Sequence, residues 1–368
     1  MDAWGISDSG AEGILPDEGI GRLMEAGAIA LARPPAENQV QPASLDLRLG
    51  TRAFRVRASF LPGPAHSVSE KLERFALHAF DLSEGAVLET GCVYIVPLLE
   101  SLALPAEIEA SANPKSSTGR LDVFTRVIAD RARAFDQVPP GYQGPLYLEI
   151  SPRTFPILVR TGSRLSQIRF RRGRTRLSDG ELAELHARTP VTTGEPRFAG
   201  GLPVSIDLAG EGGSLIGYRA KRHTGVIDVD KPGAYAVADF WEELRPSADA
   251  GLILDPDQFY ILASREAVSV PPETAAEMVP FDPLVGEFRV HYAGFFDPGF
   301  GHVAAGGSGS RAVLEVRSRE VPFILEHGQT VGRLVYEKMA ALPTALYGAG
   351  LSSNYQGQAL KLSKHFRG

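Results

Sequence analysis

A chain of 368 residues allows about two or three domains and a core that needs no disulfide or metal staple. Its 39 Gly and 27 Pro favour short strands and turns and exclude an α-helical bundle. A single cysteine, Cys92, excludes an intrachain disulfide and a multi-thiolate zinc site, and the net charge of -6 argues against a duplex-binding surface while permitting a local pocket for an anionic small molecule. Cys92 reads as a small buried hydrophobe at the start of the strand run Cys92-Val93-Tyr94-Ile95-Val96. The stretch from Met1 to Asp8 has no basic or apolar leader pattern, and no run reaches the roughly 18 apolar residues of a spanning helix. The expectation is a cytoplasmic protein with no membrane or nucleic-acid partner.

In chain order, Leu15 to Gly27 reads as a short helix capped by Asp17, with Ile20, Leu23 and Met24 on one face. Strands then dominate: Ser44–Leu49, Leu146–Ile150 and Phe155–Val159 are apolar or alternating and bounded by Gly and Pro. The capping box Ser178-Asp179-Gly180-Glu181 starts a second helix, with Leu182, Leu185 and Ala187 following. His186 near its end is expected to be solvated. The expected domains are 1–188 and 201–368, joined by a polar linker at 189–200.

The second half can be laid on the first with a shift of 166 residues. Leu88, Tyr94, Ile95, Glu100, Pro105, Glu107 and Pro114 then fall on Leu254, Tyr260, Ile261, Glu266, Pro271, Glu273 and Pro280, and Leu148-Glu149 falls on Leu314-Glu315. Ser44-Leu45-Asp46-Leu47 is echoed by Ser205-Ile206-Asp207-Leu208. Two tandem copies of one β-rich domain are the expectation.

Three clusters have chemistry to offer. Lys115-Ser116-Ser117-Thr118-Gly119-Arg120 packs two cations and three hydroxyls into a few residues, a set suited to phosphate; the plain alternative is a solvated turn. The second copy has Phe281-Asp282-Pro283-Leu284-Val285-Gly286-Glu287 there, without the hydroxyl pair or the arginine. Instead it carries Ala293-Gly294-Phe295-Phe296-Asp297-Pro298-Gly299, whose Asp297 can accept from a sugar hydroxyl. The first copy has Pro139 in that slot, its nearest carboxylate displaced to Asp136. Glu149 and Glu315 each sit inside an apolar strand. A buried carboxylate there is costly unless paired and is suited to proton transfer, the alternative being the solvent face of an edge strand. The Gly-rich tail from Tyr347 to Gln358 reads either as disorder or as a lid.

Together these pieces resemble the dCTP deaminase branch of the dUTPase-like family. The likeness rests on Ser44–Gly50, Lys115–Leu121, Ala293–Phe300, the two Leu-Glu pairs, and Tyr347 with Tyr355-Gln356-Gly357-Gln358. It implies two tandem distorted β-barrel or jelly-roll domains, mainly β with a few short helices, in a homo-oligomer whose sites draw on more than one domain. It also implies a hydrolase that breaks a cyclic amidine C–N bond, converting dCTP to dUTP and ammonia and so supplying dUTP for thymidylate synthesis. By the same resemblance Ser116, Ser117 and Arg120, with Lys115, form the phosphate and catalytic-water block. Asp297 reads the deoxyribose, the Ala293 backbone reads the base, Glu315 or Glu149 shuttles protons, and Tyr347, Tyr355 and Gln358 cover the triphosphate. Mg²⁺ comes with the triphosphate and no zinc is used. Asn354 stands where a lysine is common in the family tail, and Pro139 replaces the sugar aspartate. The expected site is therefore composite, with Ser116, Ser117 and Arg120 from one copy and Ala293, Asp297 and Glu315 from the other.

The zinc route to deamination needs a Pro-Cys-x-x-Cys pair, which one cysteine cannot supply. The nearest rival is a dUTP diphosphatase, or an enzyme doing both reactions, in which an aspartate activates water against the α-phosphate. The strand glutamate after the Asp297 turn favours deamination, and no Asp-x-Asp pair surrounds Asp297. A non-catalytic nucleotide sensor on the same scaffold is the third possibility.

Overall fold

A computed structural model describes residues 11–193, 196–210, 214–247, 251–280, 288–291, 294–318, 320–348 and 360–367. The chain forms two compact units. The first takes residues 1–175 with 225–232 and 339–344, and the second takes 176–224, 233–338 and 345–368. Both are built mainly from antiparallel strands with a few short helices, as expected. No helix among the described residues is long and apolar enough to cross a membrane.

In the first unit one sheet runs in the order Gln137–Val138, Ile108–Pro114, Arg164–Arg172, Ser44–Arg48, Val40–Gln41, with Gly13–Ile14 pairing the 164–172 strand. A second runs Val123–Ala129, Gln143–Pro152, Val93–Ala103, Arg52–Val56, Ala76–Asp81, with Ile29–Leu31 added on the 93–103 strand. Leu45, Leu47, Leu49, Ile95, Leu148, Ile150 and Ile168 are fully buried between their strand neighbours. At Gly50 the backbone passes so close to Pro97, donating its N–H to the Pro97 carbonyl at 2.8 Å, that a Cβ would lie 2.5 Å from that oxygen, so no side chain fits there. Cys92 is half-buried just before its strand, not in the core.

The helix expected near residue 17 is Asp17–Glu25, with Ile20 and Leu23 buried. Asp17 is not its cap. Extended Pro16 takes that position, and the Asp17 carboxylate instead accepts the backbone N–H of Thr344 at 3.0 Å and its hydroxyl. A further helix, Val68–Phe75, carries its own capping box, Ser67 with Glu70.

A three-stranded sheet in the first unit recruits residues from far along the chain: Ile227–Asp228 lies parallel to Ile157–Val159, which pairs Ala86–Leu88. Two charge-assisted bonds, Arg160 Nη1 and Nη2 to the two Asp228 oxygens at 2.8 and 2.9 Å, clamp it, and the Ser163 hydroxyl donates to Asp230 at 2.6 Å. The Arg160 hydrogen bonds hold the Asp228 carboxyl below the usual carboxylate range. Asp228→Asn should therefore cost about 2 kcal/mol of stability. A group with a lowered folded pKa stabilises above its unfolded value and loses that contribution as pH falls through the folded one. The gap in urea midpoint between wild type and variant should hold from neutral pH to about pH 5 and close in stronger acid. A gap that instead widens on acidification would overturn the assignment.

The second unit has one sheet ordered Leu202–Ser205, Thr330–Lys338, Thr274–Pro280, Phe295–Phe296, and another ordered Trp241–Leu244, Gly217–Ala220, Phe259–Val268, Ser310–Ser318, Phe288–His291. Its core includes Leu182 and Leu185 from the capped helix Asp179–Arg188, so the helix expected to end the first domain packs here. Ala187 is exposed. Val191, inside the stretch read as linker, is fully buried and accepts from the Ser269 N–H. His186 is not merely solvated: its Nδ1 accepts from the Val191 N–H at 3.3 Å, and its ring meets Phe198 edge-on.

Strand register repeats between the units. Glu149 stands opposite Ile95 and Glu315 opposite Ile261, partners 166 residues on in both cases. Ile168 opposite Ala112 is matched in the same way by Leu334 opposite Met278.

Candidate active site

In the first unit the block expected to bind phosphate is a single helical turn, Ser116–Gly119, between the 108–114 and 123–129 strands. The amides of Thr118 and Gly119 donate to the Lys115 carbonyl at 2.8 and 3.0 Å, and that of Arg120 donates to the Ser116 carbonyl at 3.1 Å. These bonds fix Ser116, Ser117 and Arg120 on one stiff turn. Ser117 and Arg120 are buried and Ser116 is half-buried. Lys115 Nζ is ion-paired with Asp46, which is 2% exposed, and Arg164 Nη1 stands 3.4 Å from the same carboxylate. The Ser-Leu-Asp-Leu motif thus anchors the start of the block. Asp136, the displaced carboxylate of this copy, accepts from the Val127 N–H at 2.7 Å and holds its own loop.

Glu149 is 1% exposed on the 143–152 strand. Its Oε1 accepts from Arg126 Nε at 3.0 Å and Nη2 at 2.6 Å, while Oε2 is buried without a hydrogen-bond partner among the described residues. Glu100, which the repeat pairs with Glu266, is also fully buried. It accepts from the Arg48 N–H at 2.8 Å, Arg48 Nε at 2.7 Å and Gln39 Nε2 at 2.9 Å. Glu266 accepts from the Ser205 N–H at 2.8 Å and the Ser205 hydroxyl at 2.5 Å. These two carboxylates lock strand ends in the same way in both units. Only the shared glutamate signalled it in the sequence.

In the second unit Asp297 is 7% exposed at the turn after Phe295–Phe296. The turn is held by the Gly299 N–H to Val270 O at 2.9 Å and the Phe300 N–H to Asp297 O at 3.1 Å. Gly299 has φ of +98°, and a side chain there would put Cβ 3.0 Å from the Tyr347 backbone, so glycine is required. The tail residue Tyr347 is drawn to this turn: its N–H donates to Pro298 O at 2.8 Å and its ring packs on Phe300 at 5.8 Å. Beyond the turn, His302 Nδ1 accepts from the Ala304 N–H at 3.1 Å, which places the proton of the neutral ring on Nε2. Burial holds its pKa below the usual range, opposed by the Glu273 charge. Glu315 is 6% exposed on the 310–318 strand. The Ala293, Tyr355 and Gln358 expectations, the Asn354 departure and the segment 281–287 lie outside the described residues.

The comparisons with known proteins agree across the length of the chain. Residues 11–174 match the family model of the 2'-deoxycytidine 5'-triphosphate deaminase (DCD) N-terminal domain, and residues 178–366 that of the C-terminal domain. A crystal structure of 2'-deoxycytidine 5'-triphosphate deaminase from Agrobacterium tumefaciens is 66% identical with a TM-score of 0.87, covering 89% of this chain and 99% of that one. The dCTP deaminase of Shewanella amazonensis is 31% identical over 167 residues, 43% of this chain and 82% of that protein. That of Haemophilus influenzae is 30% identical over 164 residues, 42% and 81% respectively. With the Ser-Ser-x-x-Arg turn, the Asp-Pro-Gly turn and the buried strand glutamates in place, the chain belongs to the family of two-domain 2'-deoxycytidine 5'-triphosphate deaminases.

Proposed function

We propose that this deaminase hydrolyses the 4-amino group of dCTP with Glu315 as proton carrier, no transition metal at the base, and Mg²⁺ bound only through the triphosphate. The reading rests on one observation above all: the two units hold complementary sets. The first has Ser116, Ser117 and Arg120 on a stiff turn, with its glutamate already ion-paired to Arg126. The second has Asp297 and Glu315 but no hydroxyl pair or arginine at the matching positions. Activity on this reading draws on residues of both units, in a homo-oligomer working in the cytoplasm.

Glu315 takes a proton from water as the oxygen attacks C4 and delivers it to the ring nitrogen N3. It then takes the remaining hydroxyl proton of the adduct and passes it to the exocyclic nitrogen, so the C4–N bond breaks with ammonia leaving and a carbonyl forming. The buried Arg120 guanidinium makes planar, always-charged contacts to phosphate oxygens. Asp297 accepts from the sugar hydroxyl. Lys115, committed to Asp46, holds the turn in place. Ala293 reads the base through its backbone, and Tyr347, Tyr355 and Gln358 close over the triphosphate.

Incubation of the purified protein with dCTP should release ammonia and dUTP, with no pyrophosphate, and turnover should survive a zinc chelator that spares Mg²⁺. Pyrophosphate release would favour the diphosphatase, neither product would favour a sensor, and loss of activity on zinc stripping would sink the metal-free route.

A further inference from the structure

The Glu149 neighbourhood has the form of an occupied binding site. Arg126 stands directly opposite Glu149 in the strand ladder, and Nε and Nη2, two nitrogens on one carbon, both donate to Oε1. The guanidinium carbon lies 3.5 Å from the Phe135 ring centroid and 4.7 Å from that of Phe124, so the planar cation is stacked as well as hydrogen-bonded. Nη2 also donates to the Ser59 hydroxyl at 2.7 Å. Glu149 Oε2 is left buried with no hydrogen-bond partner among the described residues, so the carboxylate has acceptor capacity that Arg126 does not use. In the second unit the residue opposite the corresponding Glu315 is His291, not arginine.

We infer that Arg126 is a built-in ligand of a latent amidine site, its guanidinium occupying the place beside Glu149 that a small planar amidine or guanidine cation would otherwise take. The paired N–H edge of a guanidinium is the edge that an aminopyrimidine presents when protonated on its ring nitrogen. A ligand tethered to the chain is present at an effective concentration no free molecule matches, so the site stays filled. On this view Glu149 is retained to bind Arg126 rather than to move protons, which rests on the assignment of Glu315 as proton carrier.

Truncating the side chain should open the site. Full-length Arg126→Ala should bind methylguanidinium by calorimetry and gain several degrees in melting temperature at about 10 mM ligand, relative to matched sodium chloride. Wild type should do neither, and adding Glu149→Gln to Arg126→Ala should abolish both effects. If Arg126→Ala does not fold, Arg126→Gln keeps more of the side-chain volume without the charged edge and serves in the same titration. Absence of binding in the folded variant, or binding that survives Glu149→Gln, overturns the inference. The catalytic reading is tested separately, by deaminase turnover of Arg126→Ala. Turnover kept within a few fold supports Glu315, whereas turnover lost while methylguanidinium still binds leaves the latent site standing and removes the Glu315 assignment.

Discussion

Arg120→Ala should reduce dCTP turnover by roughly 10- to 150-fold, the equivalent of the 1.5 to 3 kcal/mol that a charge-assisted hydrogen bond is worth. The side chain is 4% exposed, so its charge is kept from water and acts at close to full strength on whatever it contacts. Its backbone N–H is bonded to Ser116 O, so the arginine and the serine of the block cannot move independently. Arg120→Lys keeps the charge but loses the planar fork, and should fall between wild type and Arg120→Ala. The urea midpoint is the control that separates chemistry from folding. If Arg120→Ala unfolds the protein, or folds and turns over normally, the residue is a structural ion-pair partner and the phosphate assignment fails.

What the sequence made legible was local. The capping box at Ser178 and Glu181 announces its helix because both reciprocal bonds lie within four residues. The same pattern at Ser67 and Glu70 was there to be found, but only Val68 and Leu72 of that helix are buried, and so short an apolar face gives little periodicity to read. Tertiary partners decided the rest. Asp17 has the chemistry of a cap, yet Thr344, more than 300 residues away, takes its carboxylate. Ile227–Asp228 has two residues in its strand and no alternation to betray it; its place is set by parallel pairing to Ile157 and by Arg160. Val191 sits in a run of Thr, Pro and Gly that reads as linker, and only the packed core shows that its side chain is fully buried. The site followed the same division. The Ser-Ser-x-x-Arg and Asp-Pro-Gly turns are contiguous and recognisable, whereas the pairing of Glu149 with Arg126 depends on the register of two strands 23 residues apart in sequence and could not be read before the fold.

The two strand glutamates should then part company under the same substitution. Glu315→Gln preserves shape but removes the group that takes and returns the proton, so ammonia release should fall by about 10²- to 10⁴-fold. Glu149→Gln should leave turnover within a few fold, because the space beside that carboxylate is filled by the Arg126 guanidinium stacked on Phe135. Its penalty should appear in stability instead. Removing one partner of a fully buried ion pair costs about 3 to 5 kcal/mol, and the 25% exposure of the Arg126 side chain lets water recover part of this, leaving about 2 to 3 kcal/mol. Both variants should be compared in one assay of ammonia release with thermal melts alongside. If Glu149→Gln abolishes ammonia release while Glu315→Gln does not, the proton carrier belongs to the first unit and the division of labour between the two units fails.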